Sequence, residues 1–214
     1  MLQTAYLISL ALLLALIGVR FRYIRAQLGH WLIAYFAIVF FVELAALYLP
    51  QWLSLRSNHA IHNYGMPLYV TAFVLFAAEV HEPNRKAAMW LLGFYYLFAL
   101  GNLLLGQGSG VFNTYSLMVA SCLIVWLTGR YFISLLQVHD NSPLIKEPLF
   151  WINAGFFFFY LCNVFAAGTI LYFIKTDAGF ARFEIQIIQF LNMLMLLCVA
   201  AGILCIKRKP FHKT

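Results

Sequence analysis

Of the 214 residues, 64% are hydrophobic and 10% charged, which leaves about 137 apolar side chains to be kept from water. That share stands far above the roughly 45–50% of soluble domains, whereas seven spans of about 20 residues would absorb roughly 140 positions. The composition excludes a water-soluble enzyme, a disulfide scaffold and a disordered tail, and it predicts an all-α membrane protein. The formal charge of +7 argues for topology rather than for a nucleic-acid partner.

Taken in chain order, runs of 17–25 apolar residues predict seven spans: Leu2 to Val19, Leu28 to Leu49, Asn63 to Val80, Ala87 to Leu105, Thr114 to Gln137, Phe150 to Ile174 and Phe183 to Ile206. Pro50, Pro83, Pro143 and Pro148, which lack an amide proton, and the glycines from Gly106 to Gly110 punctuate them. Residues 1–206 therefore read as one seven-helix transmembrane domain and 207–214 as a short basic cytoplasmic tail. No internal repeat is visible, so the inverted-repeat plan of many carriers has no support in the sequence.

Lysine and arginine set the orientation. With the amino terminus outside, the inner side holds Arg20, Arg22, Arg25, Arg85, Lys86, Arg130, Lys146, Lys207, Arg208, Lys209 and Lys213, and the outer side only Arg56, Lys175 and Arg182. Eleven against three favours amino terminus out and carboxyl terminus in, across a plasma (inner) membrane. No cation precedes the first span and three follow it, the pattern of a reverse signal anchor rather than of a cleaved signal peptide. Trp31, Trp52, Trp90 and Trp151 fall at span ends as an interfacial belt, and Cys122, Cys162, Cys198 and Cys205 all fall within spans, where they read as small packing residues.

Polar side chains inside a bilayer are costly, so their depth is informative. At about 1.5 Å of rise per residue, Glu43, Asn102, Asn163, Gln189 and Asn192 all fall in one layer of the outer half. Gln186, Gln189 and Asn192 recur at intervals of three, which predicts one shared helix face. These five groups from four helices are the candidate ligand-binding set, against the alternative that the amides are hydrogen-bonding glue between helices. An acid on an apolar helix must be protonated, paired or hydrated, which gives Glu43 the greatest weight. Nearer the inner side, Glu79 and Arg130 come to similar depth and are a candidate ion pair, with snorkelling to the headgroups as the alternative.

Several sharper readings lack their residues. The last span has no lysine for a retinal Schiff base, no phosphate-binding GxxxxGK loop exists, and His81-Glu82-Pro83 lacks the second histidine of a zinc helix. His59 and His62 with Glu43 make only a weak metal set. No metal and no cofactor is therefore expected.

Glu43-Leu44, Asn63-Tyr64 followed by Pro67, the run Pro148-Leu149-Phe150-Trp151-Ile152 with Tyr160 beyond it, and Asn192 together give the chain a resemblance to a family of uncharacterised bacterial seven-span membrane proteins. The resemblance spans the second to the seventh predicted helix. It implies a standalone sensory module that acts alongside a histidine kinase. The leading expectation is thus a membrane sensor or signalling subunit with an outer-half polar pocket, its output passing through a partner. A small-solute or proton-coupled transporter is the second reading and an intramembrane lipid hydrolase the third.

Overall fold

The computed structural model describes residues 2–54, 57–80, 85–108, 110–137, 143–176 and 178–206. The tail from Lys207, Arg56, the His81-Glu82-Pro83 run and the His139-Asp140 pair lie outside the described residues. Among the described residues eight α-helices make up the fold: α1 (Leu2–Val19), α2 (Phe21–Leu28), α3 (Trp31–Trp52), α4 (His59–Val80), α5 (Arg85–Gly101), α6 (Thr114–Gln137), α7 (Pro148–Thr176) and α8 (Ala178–Cys205). A π-helical turn, Asn102–Gly106, continues α5, and a 3-10 turn, Leu144–Lys146, precedes α7. No strand occurs among the described residues.

Six of these helices are long and apolar enough to cross a membrane: α1, α3, α5 with its π-helical continuation, α6, α7 and α8. The chain is therefore built as a multi-pass membrane protein. The third predicted span forms the 22-residue α4 but is not among the six, because His59, His62, Asn63 and Thr71 dilute its apolar content. Such a helix needs protein around it, and α4 has α2, α3, α5 and α6 as neighbours. Met66, Val70, Phe73, Val74 and Phe76 on it are almost fully buried.

The long helices close into a ring. α1 packs on α3, α3 on α4, α4 on α6, α6 on α7, α7 on α8, and α8 returns to α1, while α5 lies outside against α4 and α6. Close approach along the ring uses glycine. A Cβ on Gly65 would stand 2.6 Å from a methyl of Val42 on α3, and one on Gly155 would stand 2.9 Å from the Cβ of Cys198 on α8. The axis is filled towards the carboxyl-terminal end by aromatic rings. Phe73 and Phe156 lie 4.6 Å apart between centroids, Tyr35 and Phe156 5.0 Å, and Phe36 tilts against Phe156 at 6.0 Å.

The segment 20–27, left between the first two predicted spans, is largely helical, and Leu28, read as the start of the second span, ends this helix instead. Residues 21–28 form α2, a short amphipathic helix that buries Ile24 and Leu28, one turn apart, and leaves Arg22 and Arg25 exposed. Gly29 ends it with φ of 73°, in the left-handed region that favours glycine. The start of α2 is tied to the end of α8 by Arg20, whose Nη1 donates to the carbonyls of Ile203, Leu204 and Ile206 at 3.1, 3.2 and 3.2 Å. Terminal helix carbonyls lack intrahelical donors, and a cation suits that end of the helix dipole. Arg20→Gln is expected to lower stability by about 1.5–3 kcal/mol, the range for hydrogen bonds to a charged group. Thermal unfolding in a neutral detergent measures this, and an unchanged midpoint would show the clamp to be idle.

Candidate functional site

A cavity of about 480 Å³ lies on the ring axis and is walled by α1, α3, α4, α6, α7 and α8. Its rim residues place the mouth at the amino-terminal end of the bundle: Gln3 from the start of α1, Asn58 and His59 from the start of α4, Phe112 and Thr114 from the start of α6. The floor is a pair of tyrosines, Tyr35 on α3 and Tyr160 on α7, whose hydroxyls are hydrogen bonded at 2.8 Å. Only 2% and 3% of their surfaces are exposed, so this bond closes the axis with the phenylalanine layer directly beyond it.

Four of the five residues predicted to share a layer line this one cavity: Glu43 on α3, Asn163 on α7, Gln189 and Asn192 on α8. Equal rise per residue sets equal depth on neighbouring helices, and the ring turns those faces inward. Asn163 donates to the Phe159 carbonyl one turn earlier, at 3.4 Å. Glu43, Gln189 and Asn192 have no hydrogen-bond or ion-pair partner among the described residues. A polar group left dry and unpaired costs about 1–3 kcal/mol, so these three side chains belong with water or with an occupant of the cavity.

On α8 the lining face is Ile185, Ile188, Gln189, Asn192 and Met195. Gln186, expected on that face, is exposed instead. Steps of three residues fall about 60° short of a full helical turn, and two such steps carry Gln186 off the face that Asn192 occupies.

Asn102 is the correction to the predicted set. It sits where α5 passes into its π turn, outside the ring, and is not part of the cavity wall. Its Nδ2 donates to Ser116 Oγ at 3.0 Å and to Gln107 Oε1 at 3.2 Å, and Gln107 Nε2 donates to Thr114 Oγ1 at 2.8 Å. Asn102 is thus interhelical glue, fastening the end of α5 to the start of α6. Glu79 and Arg130, the candidate inner pair, are found with other neighbours. A Glu79 oxygen lies 3.8 Å from His30 Nδ1, and its carboxylate fills the space a Cβ would take at Gly29. The Arg130 guanidinium lies 5.2 Å from the Trp126 ring centroid, a cation–π contact one turn away on its own helix.

The sequence reading missed the tyrosines. Tyr6, Tyr35, Tyr69 and Tyr160 all line the cavity, and each had a visible signal, a hydroxyl inside an apolar span that must find a partner. His59 and His62, considered only as metal ligands, stand at the mouth with the Phe112 ring, at 6.4 and 6.2 Å between centroids. Among the described residues no three His, Cys, Asp or Glu side chains are grouped to hold a metal ion.

The fold and site define a helical membrane protein with an amphipathic cavity open at one end. Searches against protein-family models, curated proteins and solved structures find no match.

Proposed function

We propose that the chain is a seven-span sensor or signalling subunit of the plasma (inner) membrane, with α4 as its seventh span, amino terminus outside and carboxyl terminus inside. In this reading a small ligand enters the cavity from outside and biases the packing of the ring. The short basic segments at the inner end pass that change to a partner such as a histidine kinase. The observation that carries it is the blind cavity, with Glu43, Asn163, Gln189 and Asn192 set in a largely apolar wall and the Tyr35–Tyr160 hydroxyl pair sealing it beneath. A cavity closed at one end is suited to binding, and a ligand that binds one packing better than another shifts the population between them.

Co-purification from native membranes in a mild detergent tests the reading, with a stoichiometric signalling protein as the expected result. In cells that carry that partner, Glu43→Gln and Asn192→Leu are expected to abolish the response with membrane insertion unchanged. Normal signalling by both variants would remove the cavity from the mechanism. Glu43, the one carboxylate of the cavity wall among the described residues, favours a second reading, a small-solute or proton-coupled carrier. Flux into proteoliposomes holding no partner would identify that carrier and overturn the sensor. Turnover of added lipid, lost on chelation, would identify the hydrolase.

A further inference from the structure

We propose that the cavity takes an organic cation, an ammonium group attached to an apolar body; the inference rests on the reading of this cavity as a ligand site. Charge is the first argument. Among the described residues Glu43 is the only acid on the wall, it has no hydrogen-bond or ion-pair partner, and no lysine or arginine lines the cavity. A phosphate or carboxylate ligand would meet a like charge at Glu43, with only the imidazoles of His59 and His62 at the mouth to oppose it, whereas an ammonium would complete Glu43.

The rings are the second argument. Tyr6, Tyr35, Tyr69 and Tyr160 converge on the same space, with Tyr35 and Tyr69 set edge to face at 6.0 Å between centroids. Electron-rich faces around an anion are the recognition chemistry of alkylammonium groups, and the attraction strengthens where water is excluded. The amides of Gln189 and Asn192 add neutral donors and acceptors for a polar substituent. A volume of about 480 Å³ exceeds what a bare ammonium fills, so the ligand carries an apolar body.

The experiment is calorimetric titration of the full chain in dodecyl maltoside. The probes are benzyltrimethylammonium, choline against its neutral isostere 3,3-dimethylbutan-1-ol, and benzoate. Saturable binding of benzyltrimethylammonium is expected, with choline at least tenfold tighter than its isostere and benzoate silent. Glu43→Gln should weaken the cation at least tenfold, and Glu43→Asp should retain most of the affinity. The choline comparison needs no variant, so a poorly folding Glu43→Gln leaves the proposal open to refutation. Equal binding of the isostere, binding of benzoate, an affinity indifferent to Glu43→Gln in folded protein, or no cation binding would each overturn it. Benzoate binding would do so while leaving a ligand site in place, and proteoliposome flux would overturn the sensor while leaving the cation. A lipid source for the ammonium predicts that phosphatidylcholine nanodiscs compete with the probe and phosphatidylglycerol nanodiscs do not; a soluble amine predicts equal affinity in both.

Discussion

Gly202→Leu is expected to leave little folded protein. Gly202 is buried on α8, and a Cβ there would stand 2.7 Å from the Pro148 carbonyl oxygen and 2.8 Å from Ile152 Cγ1, both on α7. The first neighbour is backbone at the start of a helix and cannot turn aside. Even alanine must push α7 from α8, and overpacking of this kind costs about 1–3 kcal/mol, against about 1 kcal/mol gained from alanine's better helix propensity. Leucine adds three further carbons to the same contact and raises the cost to about 3 kcal/mol or more. Gly93 on α5 supplies the control, because nothing lies within 4 Å of its added Cβ and the residue is exposed. Gly93→Ala should be neutral or stabilising by up to about 1 kcal/mol. Monodisperse yield and thermal unfolding in one detergent separate the three variants. Wild-type behaviour of Gly202→Leu would mean that the α7–α8 seam is loose.

The seam also shows what could be read from the chain and what could not. Apolar windows locate where the chain must be dry, and all seven predicted spans correspond to helices. They do not locate where helix begins. The four residues from His59 to His62, two of them histidines, belong to α4, Ala178 to Arg182 to α8, and residues 21–28 form α2, because helical hydrogen bonding continues after hydrophobicity stops. Pro50 was read as an end, yet α3 runs two residues past it. Small residues such as Ala200, Ala201 and Gly202 permit close helix approach within a chain or between chains, and it takes the fold to show Gly202 used within it. For the site, counting residues gives height and nothing else. Height was enough for Glu43, Asn163, Gln189 and Asn192, whose helices stand in the ring. It failed for Asn102 because α5 stands outside, and position around the bundle is a property of packing between distant segments. Glu79 and Arg130 illustrate the same limit: similar depth left them with His30 and Trp126 as neighbours.

Asn63→Leu is expected to cost about 2–4 kcal/mol, and to do so by loosening the cavity mouth. Asn63 is 8% exposed in the first turns of α4 and acts as a substitute strand for the segment before α6. Its Oδ1 accepts from the Asn113 backbone N–H at 2.9 Å, and its Nδ2 donates to the Val111 carbonyl at 2.8 Å. Leucine keeps the volume and removes both bonds, stranding two backbone groups at about 1–3 kcal/mol each. Some of that is recovered if residues 110–113 lift towards water, and that movement is the functional consequence. Phe112 and Thr114 belong to the cavity wall, so the mouth should widen and retain a cation less well. Faster hydrogen exchange at the Asn113 amide, new protease nicking before α6 and several-fold weaker binding of benzyltrimethylammonium are the expected readings. Asn63→Asp keeps the acceptor for Asn113 but turns a carboxylate oxygen towards the Val111 carbonyl, so exchange at Asn113 should stay slower than in Asn63→Leu while stability still falls below wild type. Wild-type exchange at Asn113 in Asn63→Leu would show that this pin does not hold the mouth, and would return the shaping of the cavity to the helices alone.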